Sequence, residues 1–401
     1  MKRALAIAVA LCTLGIVGFG QITGKWTGTL CLLPTTTLTS GLTIGYTING
    51  ITITSISSFG AAGLTGEQFA LTGAFGPFNL SGNMYFDVTV PAYMGSKIST
   101  GFDFAGVGVG LKVLHWDTDY NANMFTSTGV FPYTRPFREY PILIASPCQT
   151  TEEGSWGMMY ILTGKVEPLN VRASFVDCCE GIEFYDLYLW LDDVSLCCGI
   201  ALDAEVYFLK EGGFQYLSLS GFSIPLCCGV YFDFGIEFGV DYKEISFTPG
   251  FEGLGVEGCF TVYGDALFAE DAPIWQGIEI YGFSLKCTLG DCNYFEMIEA
   301  FNPGWMNTYV LSSADDFNLD CGEFELIKLG FCGAACCGGQ YTVDLKIWFG
   351  EAGGLFDITR FGFAAGIPLM QNLTLNVTGA MPAGGTCQVT STFCVGWTFT
   401  F

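Results

Sequence analysis

The chain has 401 residues, of which 50% are hydrophobic, 15% aromatic and only 13% charged, and its mean hydropathy is +0.44. Its formal net charge of -24 disfavours nucleic acid and anionic lipid headgroups as partners and favours cations. After the N-terminal segment, no uninterrupted apolar stretch reaches the roughly 18 residues that a membrane-spanning helix requires. The composition is therefore too apolar for an ordinary soluble domain, and the apolar stretches are too short for a helical membrane protein.

The N-terminal segment has the pattern of a secretory signal peptide. Lys2 and Arg3 form a basic start, an apolar run follows, and small residues stand before Gln21 at the positions of a cleavage site. The pattern predicts that residues 1–20 are a cleaved signal peptide. Residues 21–401 contain no linker or charge block and are predicted to form one exported domain.

The exported part of the chain alternates apolar residues with polar or small ones, which is the pattern of β-strands. In the clearest run, 230–242, aromatic and aliphatic residues occupy one face while Asp, Glu and Gly occupy the other. Such runs match the roughly 9 to 11 residues with which a tilted strand crosses a bilayer. We therefore predict an all-β fold, a single large antiparallel up-and-down transmembrane barrel of about 16 to 22 strands.

In a barrel of this kind the polar face of each strand lines the lumen and the apolar face contacts lipid. Several of the alternating runs carry carboxylates on the polar face, so the lumen is predicted to be acidic. The predicted pore-lining residues are Asp203, Glu205, Asp233, Glu237, Asp241 and Asp344.

The end of the chain alternates apolar or aromatic residues with small or polar ones and finishes in Phe. The residues of this pattern are Phe393, Val395, Trp397, Phe399 and Phe401. The pattern resembles the C-terminal β-signal of Gram-negative outer-membrane barrel proteins, which the barrel-assembly machinery recognises in that family. The resemblance covers the last strand and implies the outer membrane as the location, with outer-membrane lipid and the assembly machinery as partners. It identifies no subfamily.

These predictions favour a porin-like channel that passes small hydrophilic solutes by diffusion and prefers cations. A homo-oligomer is a further expectation for such a pore. Two alternatives remain: a structural or adhesive surface barrel with a plugged lumen and disulfide-stapled loops, and a soluble exported β-sandwich or solenoid. We predict no enzymatic activity, because the only histidine, His115, lacks a Gly-x-Ser-x-Gly or comparable context and fits a position among rim aromatics better.

No cofactor is predicted, with calcium as the one exception to be considered. Oxygen side chains alternate as at the start of a calcium loop in the run Asp117, Asp119, Asn121 and Asn123. The run lacks the Gly and the Glu that complete such a loop, so a polar loop is the alternative. A second acidic loop of the same kind contains Asp315, Asp316, Asp320 and Glu323.

Cysteines are frequent, and in an exported chain they are expected to form disulfides. Four vicinal pairs stand at Cys178 and Cys179, Cys197 and Cys198, Cys227 and Cys228, and Cys336 and Cys337. Cys-x-x-Cys spacing is absent, which argues against structural zinc. Cys287 and Cys292 flank four residues and are predicted to bond across their own turn. The last vicinal pair is predicted to lie on the periplasmic side, with at least one of its thiols oxidised.

Overall fold

The computed structural model describes most of the chain after the predicted signal peptide. The described residues are 21–90, 92–117, 156–177, 181–196, 201–210, 212–225, 230–240, 242–251, 257–268, 275–290, 292–307, 316–335, 338–350, 357–383 and 390–401. Within them, 22 strands form one sheet. The prediction of residues 1–20 as a signal peptide lies outside this part of the chain.

The first half of the sheet contains β1 (Gln21–Leu33), β2 (Thr37–Ile48), β3 (Ile51–Gly60), β4 (Gly63–Phe75), β5 (Phe78–Asp87), β6 (Ala92–Phe104), β7 (Val107–Asp117), β8 (Trp156–Val166), β9 (Leu169–Asp177), β10 (Ile182–Ser195) and β11 (Ala201–Leu209). The second half contains β12 (Gly213–Pro225), β13 (Val230–Gly239), β14 (Lys243–Phe251), β15 (Glu257–Phe268), β16 (Trp275–Leu289), β17 (Asn293–Ala300), β18 (Glu323–Ala334), β19 (Gln340–Gly350), β20 (Asp357–Met370), β21 (Leu373–Pro382) and β22 (Thr392–Thr400). A single helical turn, α1 (Pro303–Trp305), follows β17.

Each strand pairs antiparallel with its neighbours in sequence, and β1 also pairs with β22. The register of this last junction runs from Lys25 opposite Thr400 to Leu33 opposite Phe393. The sheet therefore closes on itself, and the predicted all-β antiparallel barrel is confirmed, with a strand number at the upper end of the expected range. No helix among the described residues is long and apolar enough to span a membrane.

The two ends of the barrel differ in the length of their connections. The first and last described residues, Gln21 and Phe401, lie at one end, which we call the terminal end, where tight turns such as Asn49-Gly50 join the strands. Asn49 and Gly50 both have positive φ, 52° and 79°, as a tight hairpin with these residues requires. The opposite end, which we call the loop end, carries the longer connections 118–155 and 301–322. Short turns at one end and long loops at the other are typical of outer-membrane barrels.

Side chains alternate between the two faces of the wall. On β19, Val343, Leu345 and Ile347 point outward, and Leu345 is 38% exposed on a surface that would contact lipid. Asp344 and Lys346 point into the barrel, where they contact other polar side chains. The alternation of apolar and polar residues in the sequence therefore corresponds to the outer and inner faces.

The disulfide prediction for Cys287 and Cys292 is wrong. Cys292 bonds to Cys332 on β18, and their Cα atoms are 5.9 Å apart, while Cys287 keeps a free thiol. Cys287 lies opposite Phe295 on the outer face, whereas Cys332 shares the inner face of its strand with Lys328. A thiol on the outer face is directed away from the turn residue that it was expected to reach.

The four vicinal cysteine pairs lie outside the described residues, so their predicted oxidation stays a prediction. β18 ends and β19 begins at the terminal end of the barrel. The expected periplasmic side of Cys336 and Cys337 depends on that end facing the periplasm.

Candidate pore lining

Carboxylates line part of the inner face on β11 and β13. Asp203 and Glu205 lie on β11, Glu237 lies on β13, and Ser218 of the strand between them faces both Glu205 and Glu237 in the register. We call Asp203, Glu205 and Glu237 the acidic wall. The carboxylate of Asp203 accepts a hydrogen bond from the backbone N–H of Asp193 at 2.7 Å. Of the other predicted lining residues, the side chain of Asp233 and the whole of Asp241 lie outside the described part.

An aromatic residue from the loop end holds the third carboxylate of this wall. Tyr242 folds over Gly239 and donates its hydroxyl to Glu237 at 2.6 Å. A Cβ atom at Gly239 would lie 1.9 Å from the tyrosine ring, so glycine is required there. Glu237 is 5% exposed, which makes it the most enclosed residue of the acidic wall.

Asp344 also faces inward, on β19. Its Oδ1 atom accepts a hydrogen bond of 2.9 Å from the hydroxyl of Tyr294 on β17. The tyrosine ring crosses the inner surface of β18 above Gly330, whose absent side chain leaves the necessary space. Asp203, Glu205, Glu237 and Asp344 thus lie on the inner face of the wall, and their predicted role in lining a pore stays a prediction.

A second group of charged residues on the inner face is basic and was not predicted from the sequence. Lys97, Lys112 and Lys165 lie on β6, β7 and β8 and share the lining of a cavity of about 650 Å³. We call them the lysine wall. Hydroxyl, amide and some apolar side chains also contribute to the lining, with Asp103 as its carboxylate. Lys165 pairs with Glu167 at 2.6 Å at the terminal end.

Next to these walls, the inner face contains a fully buried ion pair. Arg172 on β9 donates to Asp186 on β10 at 2.5 Å, and Tyr207 on β11 donates to the same carboxylate oxygen at 3.1 Å. We call these three residues the buried triad. Arg172 and Asp186 are 0% exposed, and the guanidinium also lies 5.2 Å from the ring centre of Tyr188. A buried ion pair needs such additional contacts to offset the cost of desolvation.

The connection between β17 and β18 folds back onto the inner face. We call its described residues, 301–307 and 316–322, the inner loop. Met306 and Phe317 pack with Ile298 and Leu326 of the wall in a buried apolar cluster. Trp305 stacks on Tyr281, with ring centres 4.0 Å apart.

Asp316 fastens the inner loop to three strands. Its carboxylate accepts hydrogen bonds from Lys328 on β18 at 2.9 Å and from Lys346 on β19 at 2.8 Å. Its backbone carbonyl accepts from the indole N–H of Trp348 and from Arg360. Burial opposes ionisation of Asp316, but the hydrogen bonds from the two lysines outweigh it and lower the pKa of this carboxyl.

Glu323, the first residue of β18 after the inner loop, is held in the same way. Arg360 donates to it at 2.8 Å and the hydroxyl of Thr359 at 3.1 Å. The second acidic loop was expected to be a solvated loop or a cation site. In its described part, lysine and arginine side chains of the wall neutralise the charges of Asp316 and Glu323 instead, because the loop folds inward onto these basic residues.

The predicted calcium residues are described only in part. Asp117 is the last residue of β7, while Asp119, Asn121 and Asn123 lie outside the described residues. Within the described ranges, no group of three or more His, Cys, Asp or Glu side chains is arranged to hold a metal ion. The calcium site stays a prediction.

His115 lies on the outer face of β7 near the loop end. Its ring stacks on Trp156 with ring centres 4.6 Å apart, and its Nδ1 atom is 3.3 Å from the hydroxyl of Tyr93. These contacts place His115 in an outward aromatic group, as the sequence suggested.

The predicted assembly signal forms the outer face of the closing strand. Phe401 covers Gly24 and Trp397 covers Gly28 on β1, and a Cβ atom at either glycine would lie 2.1 Å from the ring. Trp397 also meets Trp26 edge to face, at 5.6 Å between ring centres. The terminal aromatics therefore pack across the junction of β1 and β22. Recognition of this strand by an assembly machinery stays a prediction.

Comparison with known proteins finds structures of similar fold but no protein of similar sequence. No family model matches the chain, and no curated protein matches it. A variant of the ferric enterobactin receptor PfeA from Pseudomonas aeruginosa superposes with a TM-score of 0.50 at 8% identity, covering 95% of this chain and 80% of the receptor. The siderophore receptor PirA from Acinetobacter baumannii gives 0.49 at 7% identity, covering 96% and 81%. A variant of Rh. blastica porin gives 0.30 at 12% identity, covering 96% and 100%. The chain thus has the fold of a large outer-membrane β-barrel.

Proposed function

We propose that the protein is an outer-membrane channel through which small hydrophilic solutes diffuse, with a preference for cations. The observation that carries this proposal is the acidic wall, whose Asp203 and Glu205 are ionisable, half-exposed and directed into a closed barrel. Carboxylates on a lumen surface attract cations and repel anions as they pass. The formal charge of -24 has the same sign.

The lysine wall limits the expected size of this preference. Lys97, Lys112 and Lys165 line a neighbouring part of the lumen, where positive charge opposes the attraction of cations. We therefore propose a modest cation preference rather than the exclusion of anions. The calcium site and the homo-oligomer remain proposals that this assignment does not require.

Planar-bilayer recording of the purified protein tests the proposal. We expect stepwise conductance increases on insertion and, in a salt gradient, a reversal potential of the sign set by cation flow. Liposomes containing the protein should also swell when small uncharged sugars enter. Anion preference would overturn the charge assignment, and the absence of both conductance and swelling would overturn the channel itself.

A barrel with a blocked lumen, serving a structural or adhesive role, is the second candidate. The buried triad and the inner loop favour it, because both place fully enclosed side chains on the inner face. The two candidates differ in whether solutes and ions cross the barrel. A blocked barrel would show the same detergent-dependent, heat-modifiable folding but neither conductance nor swelling.

A further inference from the structure

The disulfide between Cys31 and Cys394 joins the first strand to the last. All other neighbouring strands of the described barrel follow one another in sequence, so the chain itself connects them. The junction of β1 and β22 has no such connection. Cys31 and Cys394 lie directly opposite each other there, 363 residues apart in sequence, with Cα atoms 3.9 Å apart. The bond therefore makes the wall a covalently continuous ring.

The two sulfurs are on the lumen side of this junction. A cavity of about 160 Å³ at this junction is lined by Cys394 and by hydroxyl residues such as Thr29 and Thr398, with Gly28 and Trp397 between them. The outer side of the same junction is covered by Trp26 and Trp397. A small hydrophilic molecule in the lumen thus reaches the disulfide without crossing the aromatic side.

We propose that Cys31 and Cys394 form a redox modification site that locks the barrel closed and that small hydrophilic thiols in the lumen unlock. The thiolate of one solute molecule attacks a sulfur of the disulfide, the Cys31–Cys394 bond breaks, and the other cysteine leaves as a thiolate. A second thiol displaces the first solute as a small disulfide. Two electrons and two protons pass from the two solute thiols to the two cysteines.

The Cys31–Cys394 disulfide constrains the unfolded chain as well as the folded wall. A disulfide restricts the unfolded ensemble more as the loop it closes becomes longer, although the size of the effect depends on the model used. The Cys31–Cys394 loop contains almost the whole barrel. The Cys292–Cys332 bond spans only 40 residues within strands that the chain already connects, so it provides a matched control.

The test exposes folded protein in liposomes to reduced glutathione, followed by labelling of thiols and peptide mapping. Heat modifiability on gels reports the temperature at which the folded band disappears. We expect Cys31 and Cys394 to be labelled while the band is still folded, and the band then to disappear at a temperature several degrees lower. Labelling of these cysteines only after unfolding would overturn the proposal.

Two double variants show which bond is responsible. Cys31→Ser with Cys394→Ser should have the lower transition temperature without glutathione and should lose the glutathione-dependent drop. Cys292→Ser with Cys332→Ser should keep that drop. An equal drop in the Cys31→Ser, Cys394→Ser variant would contradict the lock, and if that variant does not fold, the labelling and band shift of the unaltered protein decide. The proposal rests on a lumen that is open to small solutes. Channel conductance and ion selectivity are not readouts here, so a failure of this proposal is distinguishable from a failure of the proposed function.

Discussion

Charged residues on the inner face occupy two different environments, the buried triad and the acidic wall. Arg172 and Asp186 of the triad are fully buried and bonded to each other, whereas Asp203 and Glu205 of the wall are half-exposed. Both sets follow from the same alternation along the strands. Burial and pairing therefore decide which inward charges stabilise the wall and which can contact a solute. Mutation of the triad should lower stability, whereas mutation of the acidic wall should change ion selectivity.

The largest expected effect is a loss of stability on breaking the buried triad. Arg172→Met leaves the carboxylate of Asp186 buried without its cation, which should cost about 3 to 5 kcal/mol. Urea unfolding of the purified protein in detergent measures this. Lys165→Met is the control, because this solvent-exposed lysine pairs with the equally exposed Glu167 and its loss should leave the unfolding transition almost unchanged. Equal losses for both variants would show that the triad is not structural.

The next effect compares the outer and inner faces at adjacent positions. Val377 points outward in the middle of β21, and Thr378 points into the lumen beside the cavity near the closing strands. Val377→Arg should destabilise the barrel by about 2 to 4 kcal/mol, because a charge then lies in lipid near the midplane. Thr378→Arg should cost clearly less. The reverse order in detergent or lipid unfolding experiments would mean that the faces are inverted.

A smaller effect concerns the attachment of the inner loop. The pKa of Asp316 is lowered from 3.8, so its ionised form is favoured in the folded state. The resulting stabilisation is complete above the unfolded pKa and is lost as pH falls through the lowered folded value. We expect the tryptophan fluorescence of the protein, to which Trp305 and Trp348 contribute, to change in an acid step below pH 3.8.

Asp316→Asn provides the control for this step. The variant should lack the part of the acid transition that comes from this carboxyl. It should also weaken the loop at neutral pH by about 1.5 to 3 kcal/mol, the usual contribution of hydrogen bonds to a charged group. An unchanged acid step in the variant would assign the transition to other carboxyls.

Much of the barrel could be predicted from the sequence, because the alternation of apolar and polar residues that defines each strand is a local pattern. Alternation identifies the inner and outer residues of a strand without knowledge of its partners, and Asn49-Gly50 marks a hairpin for the same reason. The inward positions of Asp203, Glu205 and Asp344 needed nothing more.

The remaining features depend on pairings between distant residues. Arg172 meets Asp186 only through the register of β9 and β10, which a bulge shifts between Phe184 and Asp186. The hydrogen-bond partners of Asp316 lie on β18, β19 and β20, and no local sequence pattern predicts these contacts. The bond between Cys31 and Cys394 could have been predicted from the sequence, since each cysteine stands at an inward position of the first or last strand. Joining these two strands in a closed barrel would have predicted their bond.

The central claim, that half-exposed carboxylates on the inner wall face a conducting lumen, is tested most directly by the reversal potential in a salt gradient. We expect a cation preference for the unaltered protein. We expect the reversal potential to shift toward zero in the Asp203→Asn, Glu205→Gln variant, in which both side chains keep an oxygen acceptor. Neutralising Lys97 and Lys112 should shift the potential the other way. Anion preference, or the same reversal potential in the unaltered protein and in the carboxylate variant, would contradict the account.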